Sequence, residues 1–212
     1  MTKPIVVTGT DTGIGKTIFS AALTQALSAT YWKPVQSGLD EETDTEAVTR
    51  LTGCKALPER YRLQIPASPH FSAEEEGVLI DTGNLALPLI DGSLVVEGAG
   101  GLMVPLTRET LFIDIFRKWQ APIVLCARTG LGTINHTLLS IEALRARGCD
   151  LLGIVFIGDE VADSESTIVE YAGAKKLGRL PVLRDITPKT IRTAFAENFQ
   201  LEDFGVQHEE NA

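Results

Sequence analysis

The segment Gly9-Thr10-Asp11-Thr12-Gly13-Ile14-Gly15-Lys16-Thr17, directly after Pro4-Ile5-Val6-Val7-Thr8, constrains this chain more than any other. An apolar run, a glycine-rich turn and then Lys-Thr opening a helix is how a phosphate-binding P-loop reads. Glycines let backbone N–H groups converge on phosphate oxygens where a side chain would block the approach. The helix that follows adds unsatisfied N–H groups and the positive end of its dipole. Lys16 supplies a mobile charge for the terminal phosphates, and Thr17 a hydroxyl for Mg²⁺. The loop is a variant: Thr10 stands where the pattern has its first glycine, and Gly9 lies one residue earlier.

The rest of the chain suits one P-loop domain spanning residues 1–212, with a loosely held tail from about Val206. Short apolar runs alternate with amphipathic stretches, which predicts an α/β fold: three layers, with helices flanking a mostly parallel sheet. Strands are expected at Ile5–Thr8, Tyr31–Val35, Leu94–Glu97, Ile123–Ala127, Leu152–Ile157 and Leu180–Leu183. Helices are expected at Lys16–Ser28, Glu42–Leu51, Asn84–Ile90, Leu111–Trp119, Ile134–Arg147, Glu165–Lys175 and Pro188–Ala196. The Pro-rich stretch Gly53–Gly77 reads as a surface excursion or a lid.

A formal net charge of −9 without a basic stripe argues against nucleic acid and anionic membranes as partners. The three cysteines, Cys54, Cys126 and Cys149, form no C-x-x-C pair and no disulfide framework. With no apolar stretch long enough to span a bilayer, a cytoplasmic setting is expected.

In open α/β sheets, ligands sit beyond the carboxyl ends of the strands. Lys33 of Trp32-Lys33-Pro34-Val35-Gln36-Ser37-Gly38 falls there, and the residues alone leave it open between a clamp for an anion and an edge lysine reaching solvent. Glu97, ending Leu94-Val95-Val96 and followed by Gly98-Ala99-Gly100-Gly101, suits a second oxygen ligand for Mg²⁺. Asp44 offers another acid, although Asp and Thr also serve simply as helix caps. Gly130-Leu131-Gly132-Thr133-Ile134-Asn135-His136 opens a helix and forms a second potential anion site. His136 reads as structural, and His70 stays ambiguous.

Taken together, these segments resemble the dethiobiotin synthetases. The P-loop, Lys33-Pro34-Val35-Gln36-Ser37-Gly38, Ser68-Pro69-His70, Glu97-Gly98-Ala99-Gly100-Gly101 and Gly132-Thr133-Ile134-Asn135-His136 occur in that family's order, from Val7 to about Leu183. The resemblance implies a reaction in which 7,8-diaminononanoate and CO₂ (or bicarbonate) are closed into a cyclic urea with ATP and Mg²⁺. A carbamate would form on one amine and take the γ-phosphoryl group. The second amine would then displace phosphate.

On that resemblance Lys33, Lys16 and Thr12 act on the reacting groups. Gly13, Ile14, Gly15, Lys16, Thr17, Ile18, Gly98, Ala99, Gly100 and Pro181-Val182-Leu183 line the nucleotide. Thr17, Asp44 and Glu97 ligate Mg²⁺, while Ser37 and Thr12 orient the substrate. Family members act as homodimers with a shared site, so Gly132, Thr133, Asn135 and Tyr171 are expected to hold the substrate carboxylate from the neighbouring subunit.

Two positions depart from the family pattern. Gly13 stands where members often carry Glu or Asp, and Phe156-Ile157-Gly158-Asp159 replaces an Asn-Asp pair that reads adenine. Ile157 has no side-chain hydrogen bond to offer, which opens the site to nucleoside triphosphates other than ATP. Two competing readings are a related amide-forming synthetase and a partition-type ATPase switch. The chain is short for the first, and it lacks the second's early lysine in the loop.

Overall fold

Runs of Val, Ile and Leu buried on both faces set the centre of the molecule. In a computed structural model, residues 4–205 are described; the tail expected from Val206 lies outside them. The chain opens with β1 (Ile5–Gly9), α1 (Lys16–Ala26), β2 (Thr30–Trp32), β3 (Val35–Ser37) and α2 (Asp44–Thr52). Next come β4 (Ala56–Leu57), β5 (Tyr61–Leu63), α3 (Pro69–Glu75), β6 (Leu94–Gly101) and α4 (Phe112–Trp119). The second half alternates β7 (Ile123–Arg128), α5 (Thr133–Ala146), β8 (Leu151–Ile157), α6 (Ala162–Ala172), β9 (Lys176–Leu180) and α7 (Pro188–Asn198).

Seven strands form one parallel sheet in the order β4-β2-β6-β1-β7-β8-β9, which bears out the three-layer expectation. Alternation along each strand decides which face a side chain serves. Ile5, Val7, Tyr31 and Val95 pack with Phe19, Leu23, Val48 and Phe195 under α1, α2 and α7. Val6, Trp32, Val96 and Ile123 pack with Phe112, Phe116 and Leu144 on the opposite face. Each such side chain contributes about 1.5–3 kcal/mol by leaving water, and Cys126 joins the first cluster as a small hydrophobe.

Three expectations about elements are corrected. The strand expected over Tyr31–Val35 breaks at Lys33-Pro34, because Pro34 has no N–H for the ladder. Its second part, β3, leaves the main sheet and pairs with β5 in a separate parallel ribbon. The last strand is Lys176–Leu180 rather than Leu180–Leu183. Pro181 ends it, and the strand's charges are tolerated because β9 is the sheet edge. No α-helix forms over residues 84–90; Thr82–Leu85 makes a single 3₁₀ turn before Pro88, which disfavours helix in the residue ahead of it. Gly53–Gly77, expected as a surface excursion or a lid, has regular structure of its own. It carries β4, β5 and α3 and sends Leu63 and Ala73 into the core.

Candidate active site

β1 runs between β6 and β7 and delivers the glycine-rich loop to the carboxyl edge of the sheet. Gly15 is the N-cap of α1 with φ 99°, a left-handed conformation that glycine adopts without strain. No side chain caps α1, and its first turn holds no acid, so its N–H groups stay open to an anion. Lys16 is 6% exposed, and its Nζ donates to the Asp11 carbonyl at 2.8 Å across the loop. Burial pulls its pKa below the usual lysine value, against the opposing pull of Glu97.

A second constellation meets this loop from β2, β6 and α2. The parallel register sets Tyr31 opposite Val95, and strand periodicity then puts Tyr31, Lys33, Val95 and Glu97 on the α1 face of the sheet. Lys33 is 3% exposed and Glu97 is fully buried. Lys33 Nζ lies 2.6 Å from Asp44 Oδ2 and 3.2 Å from Glu97 Oε1, and it also donates to the Gly98 carbonyl. Thr17 Oγ1 donates to Asp44 Oδ1 at 2.6 Å and lies 3.1 Å from Glu97 Oε1. Tyr31 donates its hydroxyl to the other Glu97 oxygen, Oε2, at 3.0 Å.

Burial and pairing pull these pKa values in opposite directions. Burial lowers Lys33, yet Glu97 and Asp44 together outweigh it and hold the ammonium above the usual lysine range. Burial raises Asp44, yet Lys33 and the Thr17 hydroxyl bring its carboxyl below the usual value. Lys33 and Asp44 therefore face each other as a charged pair at neutral pH.

Local chemistry explains how Asp44 reaches it. Thr43 is the N-cap of α2 and forms a capping box with Glu46, so capping does not occupy Asp44. The Gln36 amide oxygen accepts from the Asp44 backbone N–H at 3.4 Å. The break at Pro34 leaves Lys33 at a strand tip, where the residues alone could not decide between clamp and edge lysine.

Lys33, Asp44 and Gln36 line a cleft of about 390 Å³, together with Thr12, Ser37, the Pro66–Pro69 segment, Ala99 and Gly100. Ser37 Oγ is buried there without a hydrogen-bond partner, which is costly unless a ligand supplies one. Two carboxylates and a hydroxyl converging on one point form the hard-oxygen set that Mg²⁺ takes alongside phosphate oxygens, so the residues present fit that ion.

Other expected residues lie apart from this cleft. α5 starts at Gly132 with φ 91°, again with no side-chain cap and no acid in its first turn. Thr133 is buried against Thr137, whereas Asn135 and Tyr171 face solvent, Tyr171 at 81% exposure. None of these lines the Lys33 cleft of its own chain. Pro181-Val182-Leu183 follows β9, whose Leu180 pairs with Ile157 at the tip of β8, and a Cβ on Gly15 would touch Ile157 at 3.0 Å. Ile14 is buried and Ile18 half-buried, both packed in the core below the loop. Sequence reasoning missed Tyr31 and the Gln36 contact; for Tyr31, the two-residue step to Lys33 was the available signal.

The family described as an AAA domain matches residues 3–190. The ATP-dependent dethiobiotin synthetase BioD of Rhodopseudomonas palustris (strain HaA2) is 65% identical over 207 residues, covering 96% of this chain and 97% of the relative. The synthetase of the same name from Brucella anthropi is 57% identical, with 97% and 98% covered. The chain belongs to the dethiobiotin synthetase family. Solved structures add the fold alone. A ParA family ATPase from Chlorobium tepidum TLS aligns with TM-score 0.59 at 11% identity, over 92% of this chain and 91% of that one. A MinC:MinD cell division complex from Aquifex aeolicus gives 0.54 at 12% identity, over 91% and 86%. This family member therefore shares the P-loop scaffold of partition-type ATPases while its sequence kinship lies with the synthetases.

Proposed function

We propose that this protein is an ATP- and Mg²⁺-dependent dethiobiotin synthetase, a cyclo-ligase of biotin synthesis. The observation that carries the reading is the Lys33–Asp44–Glu97–Thr17 cluster, which joins the uncapped P-loop helix at Thr17. One amine of 7,8-diaminononanoate adds to CO₂ and loses a proton, forming a carbamate. A carbamate oxygen attacks the γ-phosphorus, and the bond to the leaving ADP breaks. The second amine attacks the carbonyl carbon of this carbamic–phosphoric anhydride, phosphate departs with the C–O electron pair and takes up the proton the attacking nitrogen loses, and the urea ring closes.

Anionic groups must approach one another in that sequence, so positioning and charge neutralisation carry the catalysis. Lys16 steadies the transferring phosphoryl group, and Lys33 holds the carbamate oxygens beside it. Thr12 contacts the carbamate or the γ-phosphate, and the unpaired Ser37 hydroxyl orients the substrate. Thr17, Asp44 and Glu97 would hold Mg²⁺, which supplies charge neutralisation on the triphosphate. No histidine base is required, because the attacking carbamate oxygen is already anionic.

The open N-terminus of α5, with Gly132, Thr133 and Asn135, is assigned to the substrate carboxylate across a homodimer; Tyr171, expected with them, adjoins Ala172, whose carbonyl accepts from Arg145 toward the other end of α5. Exposed Leu131, Leu139 and Met103 fit such an apolar interface. Among the described residues no helix is long and apolar enough to cross a membrane. The free thiols of Cys54, Cys126 and Cys149 suit a reducing cytoplasm.

Incubation with 7,8-diaminononanoate, bicarbonate, Mg²⁺ and ATP, followed by mass spectrometry, tests the reading. Dethiobiotin is the expected product. Folded protein that yields none would overturn it.

A further inference from the structure

Glu97 is the most buried of the charged groups in the cluster, and its two oxygens have different partners. Oε1 faces Thr17 and Lys33, the side of the cleft. Oε2 receives a single hydrogen bond, from the Tyr31 hydroxyl at 3.0 Å. Tyr31 itself is fully buried in the core cluster that includes Phe19 and Val95, so its ring is fixed by the core rather than by the cleft. A phenol held in this way allows the carboxylate only one orientation. We propose that Tyr31 is a positioning residue: by holding Glu97 Oε2 it aims Oε1 at the cation site shared with Thr17 and Asp44, and so sets the affinity for the divalent ion. The inference rests on the function proposed above.

Two features support it. Tyr31 lies opposite Val95 on β6, and Glu97 is two residues further along the same face, so the contact follows from sheet register. The tyrosine is fully buried, so its hydroxyl meets Glu97 from the core side of the strand. Partners that orient a metal-ligating side chain typically change metal affinity by about 10–100-fold when removed.

The decisive variant is Tyr31→Phe, which deletes the hydroxyl and keeps the ring. Mn²⁺ binding in the presence of the β,γ-methylene analogue of ATP, followed by electron paramagnetic resonance, reads the effect without turnover. The expected result is about tenfold weaker Mn²⁺ binding. The Mg²⁺ concentration giving half-maximal dethiobiotin formation should rise in parallel, and kcat should be largely restored at saturating Mg²⁺. Unchanged Mn²⁺ affinity, with only a lower melting temperature, would overturn the proposal and leave Tyr31 a purely structural residue.

If the variant does not fold, the wild-type chain labelled with 3-fluorotyrosine provides the test. The resonances of Tyr61 and Tyr171 are assigned by Tyr61→Phe and Tyr171→Phe. The remaining Tyr31 signal should shift when Mg²⁺ joins the bound analogue, and a signal that stays fixed counts against the proposal. Wild-type protein that binds Mn²⁺ with the analogue yet makes no dethiobiotin defeats the proposed function alone.

Discussion

Two strands of one sheet, β6 and β8, present opposite chemistry. Within β6, Glu97 is buried, lies 3.1 Å from Thr17 Oγ1 and receives bonds from Lys33 and Tyr31. At the tip of β8, Ile157 offers methyl groups, and Gly158 spends its backbone N–H on the Leu180 carbonyl. The β6 side is thus built from side chains in fixed ion pairs, and the β8 tip, expected from the sequence to meet the nucleotide, from backbone and apolar contact. The difference teaches where this molecule is exacting. Charge neutralisation at the reacting groups demands placed cations and carboxylates, whereas an apolar tip discriminates weakly among ligands of similar size.

The largest effect is expected from Lys33→Ala. Losing the ammonium removes a donor from the reacting centre, and kcat should fall by about 10³-fold. It also leaves Asp44 and Glu97 without their shared cation, which should cost about 3–5 kcal/mol of stability in chemical denaturation. Normal turnover in this variant would remove Lys33 from the mechanism and break the contrast between the two strands. Ser37→Ala separates binding from stability on the same polar side. Its hydroxyl has no partner among the described residues, so the melting temperature should stay unchanged or rise while KM for 7,8-diaminononanoate rises about tenfold. A lower melting temperature with unchanged KM would show that the hydroxyl serves the fold instead.

Most of this polar end was legible in the residues. Lys16, Thr17, Lys33 and Glu97 all stand at strand or loop boundaries, and those boundaries are marked by glycine, proline and apolar runs. The ambiguity of Lys33 was resolved by Pro34, which ends β2 one residue beyond it and leaves the side chain at the buried edge. Tyr31 was hidden because a tyrosine in an apolar strand reads as core, and only the pairing of β2 with β6 brings its hydroxyl to Glu97. The β9 strand was misplaced for a related reason. Lys176 and Arg179 read as surface, and an edge strand accepts such residues because only one side of it is paired. Local pattern specified the elements well; contacts between strands distant in sequence were not local information.

The apolar tip makes a sharper claim about the nucleotide. If recognition at Ile157, Gly158 and Pro181 relies on backbone and shape, ATP, CTP and GTP should support ring closure with kcat/KM values within about fivefold, or about 1 kcal/mol of discrimination. A site that hydrogen-bonds one base would instead reject the others by about 10⁴-fold. Preference of that size for ATP would mean that a polar group outside the β8 tip reads the base. Ile157→Asn is then the complementary variant, expected to favour ATP by adding an amide where none stands.

The smallest expected effect is a flat line, and it tests the charged pair directly. Asp44 is held below its ordinary value of 3.8, so its contribution to stability is present above that value and fades as pH falls through the folded pKa. Lys33 is held above its ordinary 10.5, so its contribution is complete below that value and fades as pH rises through the folded pKa. Between the two, neither group changes protonation on unfolding. The stability difference between the wild-type chain and a reference with no titrating group there, Lys33→Met/Asp44→Asn/Glu97→Gln, should therefore be constant from about pH 5 to about pH 9 and shrink beyond both ends. Calorimetric melting across that range provides the measurement. A slope near neutral pH would mean that burial overcomes the pairing of Lys33 with Asp44; the proposed charge neutralisation beside the P-loop would then lose its basis.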